Sequence, residues 1–179
     1  MKILAGRYKN RPIKTPKGSK TRPTSSKMRA TIFNILQNQI EEARFLDLFA
    51  GSGSMGLEAL SRGASSATFV EHNRAAFHCI RDNLSSLNIT ATVLQMDAKA
   101  ALKLLAKKKN LFDLIYIDPP YDLDILYLLD LLPPILAPDG LILLEQSKHT
   151  TVETTALKQI DERNFGDTTL YFFKENRSL

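Results

Sequence analysis

From Arg44 to Glu145 the chain alternates short apolar runs with stretches of helical periodicity, and this alternation limits the folds open to it. Phe45 to Phe49, Ala67 to Glu71, Ala91 to Gln95, Leu111 to Ile117 and Leu141 to Glu145 have the length and character of buried strands. Between them, helices are predicted over Ser54 to Arg62, over a segment capped by Asn73 with Ala76, Phe77, Ile80, Leu84 and Leu87 inward, through Ala101, Leu102, Leu104 and Leu105, and over Leu123 to Leu132 before Pro133-Pro134. Strand and helix in turn predict an α/β fold: a doubly wound, mostly parallel sheet with right-handed crossovers. The tail differs, because Leu157 to Arg163 and Thr168 to Phe173 around Gly166-Asp167 read as a terminal antiparallel strand pair. Sheets of the parallel kind bind ligands at the carboxyl ends of their strands, so the residues there carry the functional reading.

The first strand ends in Asp47-Leu48-Phe49-Ala50-Gly51-Ser52-Gly53-Ser54-Met55-Gly56. Gly51, Ser52 and Gly53 form a turn whose backbone can approach a ligand closely, and the amides of the helix that follows can hold an anionic group. Glu71 closes the second strand, where a carboxylate can grip two ribose hydroxyls. Taken alone, this pair suggests NAD. Two further acids favour another ligand. Asp97, after the third strand, can accept a hydrogen bond from an adenine amino group, with the Ala98 backbone at the ring edge, and Asp47 would repel a pyrophosphate but attract an ammonium. Adenine, ribose, an amino group and a carboxylate together describe S-adenosylmethionine. Asp and Asn also cap helices and turns, so it is their recurrence after successive strands that carries the reading.

The fourth strand ends in Asp118-Pro119-Pro120-Tyr121. Two prolines stiffen the turn and restrict the residues before them. An exocyclic base amine is a poor nucleophile, because its lone pair is conjugated into the ring. Hydrogen bonds from that amine to the Asp118 carboxylate and the Pro119 carbonyl would draw it towards tetrahedral geometry, and Tyr121 offers a face on which the base can stack. No nucleophilic cysteine is needed, and Cys79 on a helix reads as core.

Charge is distributed unevenly. Residues 1–40 hold ten of the 24 Lys and Arg and none of the 19 Asp and Glu, which leaves a net of −5 for residues 41–179. A block of cations meets polyanions, because each phosphate neutralised releases condensed counterions. We therefore divide the chain into a basic arm and helix, 1–40, and a catalytic domain, 41–179. Ile3 to Lys14 reads as one or two short strands and Thr15 to Ser26 as a loop. Met28, Ile32, Phe33, Ile35, Leu36 and Ile40 predict a helix capped by Thr24 or Ser25 that carries Arg29 to its rim. Arg7, Arg11, Arg22, Lys27 and Arg29 are the candidate contacts to such a polyanion. A lone cysteine and no paired Cys or His spacing predict a reducing cytoplasm and no metal. A start too short and too soon charged for a signal peptide, with no apolar run of about 20 residues, predicts a protein without membrane association.

With these residues assembled, the chain resembles the bacterial 16S rRNA (guanine-966 N2)-methyltransferase family. The resemblance rests on Ala5-Gly6-Arg7, Lys14-Thr15-Pro16, Thr21-Arg22-Pro23-Thr24, Phe33-Asn34-Ile35-Leu36, Asp47 to Ala64, Val70-Glu71, Asp97-Ala98, Asp118 to Tyr121 and Gly166-Asp167-Thr168. It implies a Rossmann-like class I methyltransferase fold and S-adenosylmethionine as donor. It also implies, as substrate, the N2 amine of a guanine in 16S rRNA already carrying proteins of the small ribosomal subunit. A monomer is expected. The chain departs from the family pattern after Thr24, where Ser26, Lys27 and Ala30 stand in place of an acid, an arginine and a glutamate. Asp-Pro-Pro-Tyr is shared with adenine N6-methyltransferases of DNA or RNA, which stay open as the alternative. An NAD-dependent oxidoreductase and a noncatalytic RNA-binding module are the rivals from other classes.

Overall fold

The structure, a computed structural model, describes residues 1–16, 25–120, 123–148, 150 and 152–176. Its elements are α1 (Ser26–Ile35), β1 (Arg44–Asp47), α2 (Ser54–Ser61), β2 (Ser66–Val70), α3 (Arg74–Ser86), β3 (Thr92–Leu94), α4 (Ala98–Lys107), β4 (Phe112–Ile117), α5 (Ile125–Leu129), a 3-10 turn (Pro133–Ile135), β5 (Leu136–Ser147), β6 (Leu157–Phe165) and β7 (Thr168–Glu175). The seven strands form one sheet in the order β3-β2-β1-β4-β5-β7-β6. β1 to β5 run parallel, while β7 is antiparallel to both its neighbours. The strand order reverses between β1 and β4, and the loops after these two strands therefore flank the crevice where such sheets bind ligands.

Alternating side chains build two cores. Phe45, Leu114, Tyr116, Leu141 and Leu143 face the layer of α2 and α3, and Leu46, Ile115, Ile117, Ile142 and Leu144 face α4 and α5. Local signals set the helix starts as expected. The Ser25 side chain accepts the Met28 N–H, the Asn73 side chain accepts the Ala76 N–H, and a basic residue, Lys107, ends α4.

The structure corrects several expectations. Among the described residues the arm has no regular strand: Lys2 and Pro12 form an antiparallel bridge, and Ile3 and Ile13 are buried in the same cluster as Ile32, Phe33, Leu36 and Ile40. α1 stops at Ile35, so Leu36 and Ile40 reach the core from the turn beyond it. α5 is five residues rather than ten, and Pro133 opens a 3-10 turn instead of merely stopping a helix. β5 starts at Leu136, because Pro138-Asp139-Gly140 is absorbed as a bulge: Phe112 pairs with Leu136 and Leu114 already with Leu141. Asp139 takes the left-handed backbone, at φ 63°, that lets the strand resume.

The Arg29 expectation is overturned. Arg29 is fully buried, not at a rim. Its guanidinium donates to the Lys2 carbonyl and to Met1 Sδ, and its Nε lies 3.5 Å from Glu58 Oε2 of α2. Burial lowers its pKa, opposed by the Glu58 charge and assisted by Arg62. A cation so enclosed holds the arm on the body and has no face left for a phosphate.

Candidate active site

The glycine turn after β1 needs two left-handed residues, Gly51 at φ 54° and Gly53 at φ 78°, a backbone that a side chain disfavours. A Cβ at Gly51 would meet nothing within 4 Å, so an open face lies beside this residue. The turn is held by carboxylates. Glu71 Oε2 accepts the Gly51 N–H at 2.8 Å and its Oε1 accepts the Asn73 N–H at 2.7 Å, while Asp47 Oδ2 accepts the Gly56 N–H at 3.0 Å. The Gly53 N–H is taken by the Ala50 carbonyl at 2.7 Å. Three amides that would cradle a pyrophosphate are thus already engaged, two of them by negative groups. This disfavours the dinucleotide reading. Each carboxylate oxygen keeps a second lone pair, so Glu71 can still accept from a diol.

Asp47 is almost fully buried, and burial raises its pKa to about 7, against the Gly56 hydrogen bond and with the Glu71 charge adding to the rise. A buried carboxylate in this condition favours a cationic partner. Asp97 is exposed and caps α4, its Oδ1 accepting the Ala100 N–H at 2.9 Å, and Ala98 beside it is buried.

Asp118 follows β4, half-buried beside the buried Pro119. Its pKa is pushed up to about 8, first by burial, then by the charges of Glu145 and Asp47. Strand register explains the grouping. Asp47 pairs with Tyr116 and Ile117 with Leu144, so by alternation Asp47, Asp118 and Glu145 stand on one face at the ends of β1, β4 and β5. Tyr116 donates a short hydrogen bond from its hydroxyl to Glu145 Oε2, and burial raises the Glu145 pKa as well. Three neighbouring acids with restricted access to water make a site that attracts cations and accepts hydrogen bonds from amines.

Glu145 was missed as a site residue. Its signal was available in the sequence, as the acid closing the apolar run Leu141 to Leu144. Tyr121 and Arg22 lie outside the described residues. Of the other arm candidates, Arg7 is exposed with its guanidinium 5.5 Å from the Tyr8 ring centroid, Arg11 donates to the Ser86 carbonyl at 2.9 Å, and Lys27 is exposed in the first turn of α1. Two open hollows of about 360 and 400 Å³ lie elsewhere. One sits at the opposite end of the sheet around Asp113 and Asp139, the other along α3 and β3, and neither includes Asp47, Glu71 or Asp118. The chemistry, rather than the concavity, marks the site. Among the described residues no group of three His, Cys, Asp or Glu could hold a metal ion, and no helix is long and apolar enough to cross a membrane.

Comparison with known proteins places the chain in a family. The family model described as Conserved hypothetical protein 95 matches residues 1–174. YlbH of Bacillus subtilis, provisionally named an rRNA methyltransferase, is 35% identical over 98% of this chain and 99% of its own length. Ribosomal RNA small subunit methyltransferase D of Escherichia coli K12 is 38% identical over 68% of this chain, which spans 60% of that protein. The solved structure of yhhF from Escherichia coli, provisionally described as a methyltransferase, superposes with a TM-score of 0.85 at 32% identity, covering 98% of this chain and 97% of that one. At 16% identity and a TM-score of 0.64, a SAM-dependent methyltransferase of Agrobacterium tumefaciens shares the fold over 83% of this chain and 62% of its own.

Proposed function

On the premise that this chain belongs to the Conserved hypothetical protein 95 family, we propose that it transfers a methyl group from S-adenosylmethionine to the exocyclic N2 amine of a guanine in 16S rRNA. The observation that carries this reading is the row of Asp47, Asp118 and Glu145 beside a glycine turn whose Gly51 and Gly56 amides are already engaged by carboxylates. Such a site suits a ligand with an ammonium and a ribose, and then an amine to be alkylated.

The residues present fit S-adenosylmethionine. Asp47 and the open face at Gly51 suit its amino-acid end, Glu71 its ribose hydroxyls, and Asp97 with the Ala98 backbone its adenine; Ser52 and Gly53 complete the turn. When bound, this cofactor supplies an electrophilic methyl on a sulfonium. Asp118 accepts a hydrogen bond from the guanine amine and Pro119 offers its carbonyl, so the nitrogen lone pair is freed from the ring and aimed at the methyl carbon. On alkylation the amine nitrogen would gain positive charge. The Asp118 carboxylate stabilises that charge and is placed to take the departing proton. Tyr121 is assigned the stacking face.

Residues 1–40 serve RNA recognition and 41–179 the transfer. Lys27 supports this division. A cation in the first turn of a helix opposes the helix dipole, so its position does not serve the stability of α1 and suits a phosphate instead. Arg7, Arg11 and Arg22 are assigned the same role. The substrate is taken to be rRNA within an assembling or assembled small subunit, and the enzyme a cytoplasmic monomer. The names of the relatives from Bacillus subtilis and Escherichia coli support rRNA over DNA. Mass spectrometry of rRNA nucleosides from a deletion strain tests the reading: N2-methylguanine should fall, and a loss of N6-methyladenine instead would establish the alternative.

Glu145 gives a second test. Asp118 must be ionised to accept from the amine, and its raised pKa makes the rate fall as pH drops below about 8. In Glu145→Gln the repelling charge is gone, the Asp118 pKa falls, and the acid limb of the single-turnover profile should move to lower pH. An unmoved limb would separate Glu145 from the reacting centre.

A further inference from the structure

The basic arm and the glycine turn, far apart in sequence, meet on one side chain. Asn83 projects from α3 and is 1% exposed. Its Oδ1 accepts the Lys14 N–H at 2.9 Å, and its Nδ2 donates to the carbonyls of Lys14 and Ser52, each at 3.0 Å. A side-chain amide has one carbonyl oxygen and two N–H groups, and the Lys14 N–H must face the oxygen, so this orientation is the one that satisfies all three bonds. Cys79 Sγ donates to the same Lys14 carbonyl at 3.2 Å.

The Ser52 carbonyl shares a peptide unit with the Gly53 N–H, which donates to the Ala50 carbonyl at 2.7 Å. That peptide plane is therefore held from both sides, by Asn83 and by Ala50. Its orientation sets the left-handed Gly53, the residue from which α2 starts. The arm grips α2 as well. Leu4 and Ala5 donate their amides to Glu58 at 2.8 and 3.0 Å, Tyr8 donates to Ser61 Oγ at 2.9 Å, and Arg7 donates to the Ser61 carbonyl at 2.7 Å. This approach is possible because Gly6 has no Cβ; one would fall 1.8 Å from the Ser61 oxygen. Immediately after the segment that Asn83 holds, the sequence supplies Lys17, Lys20 and Arg22.

We propose that Asn83 is a positioning residue that couples RNA binding by the arm to cofactor binding at the glycine turn. An arm seated on RNA fixes the Lys14 backbone, and Asn83 passes that order to the Ser52–Gly53 peptide. The inference rests on the assignment of arm to RNA and turn to cofactor, but not on which amine is methylated. Coupling of this kind is reciprocal, so each ligand tightens the other by one common factor. An asparagine that merely satisfied buried backbone groups would change cofactor affinity equally with and without RNA.

The test measures S-adenosylhomocysteine affinity by calorimetry, with and without saturating rRNA presented in small ribosomal subunits from a deletion strain. Full-length wild type is compared with Asn83→Ala and with Asn83→Asp, which keeps the acceptor for Lys14 but loses both donors. Wild type should bind about tenfold more tightly with rRNA, and in both variants that ratio should collapse towards one. If the variants do not fold, hydrogen exchange on wild type decides: the Gly53 amide should gain protection when rRNA is added without cofactor. No tightening in wild type, an unchanged ratio in the variants, or an unprotected Gly53 overturns the coupling. A chain that binds rRNA and cofactor independently loses this inference alone, whereas one that binds no rRNA in a filter assay loses the RNA assignment too.

Discussion

Asp118→Asn should bind S-adenosylhomocysteine as tightly as wild type, within about threefold, and transfer methyl at least about a hundredfold more slowly. The lost interaction is a charge-assisted hydrogen bond from the amine, of a kind that contributes about 1.5–3 kcal/mol, equivalent to roughly 10- to 150-fold in rate. A side-chain amide also presents N–H groups where the guanine amine must donate, so repulsion adds to the loss. Cofactor binding should survive, because the groups assigned to it, Asp47, Glu71 and Asp97, are held by backbone amides of the segments after β1, β2 and β3 and make no hydrogen bond to Asp118. The change also mimics a trapped protonation state. Burial and the neighbouring acids already raise the Asp118 pKa to about 8, and the amide has the shape of the neutral acid. The wild-type rate should therefore approach that of the variant as pH falls. Single-turnover kinetics at several pH values, alongside titration with S-adenosylhomocysteine, separate the two effects; near-wild-type turnover in Asp118→Asn would remove Asp118 from the mechanism.

Arg29→Ala should destabilise the protein by about 3 kcal/mol, lowering the melting temperature by roughly 10 °C. It is the largest fully buried side chain, and its removal leaves Glu58, also fully buried, with Arg62 as its remaining cationic partner. The Lys2 carbonyl loses a donor in the same step. Arg29→Met, which keeps most of the volume, should cost less than alanine. Thermal melting of the three proteins measures the order, and filter binding over a range of salt measures the other half of the claim. The slope of rRNA affinity against salt should be the same in both variants as in wild type, because a buried guanidinium neutralises no phosphate. A folded Arg29→Ala with unchanged melting and a flatter slope would return Arg29 to the RNA surface.

These two residues show how differently the sequence reveals its parts. Asp118 was legible because a local rule places it: an apolar strand, then an acid, then prolines that stop the strand from continuing. The caps at Ser25 and Asn73 and the glycine turn follow equally local rules. Arg29 was not legible, because its place depends on Glu58, a charge buried on α2 beyond an intervening strand and turn. A cation at helical spacing ordinarily snorkels to water, and only a tertiary partner keeps it inside. Asn83 was hidden for the same reason, since its three bonds reach Lys14 and Ser52. The fifth strand, expected from Leu141, starts earlier at Leu136, because Pro138-Asp139-Gly140, residues that usually end a strand, here bend one that carries on. Elements written by neighbours in sequence were readable, and those written by neighbours in space were not.

The placement of β7 between β5 and β6 has a consequence for the order in which the molecule can be assembled. Glu145 lies opposite Leu170, so the far flank of its strand has no partner until residues 168–175 have left the ribosome and folded back. β1 to β5 can pair with partners already made, whereas the second edge of β5 waits for β7, and β6 cannot join the sheet without it. During synthesis, the half of the sheet bearing Asp47 is finished first and the half bearing Glu145 last. A nascent chain lacking β7 would expose an apolar strand edge prone to aggregate. The strand that carries Glu145 is therefore flanked on both sides only once residues 168–175 have folded back.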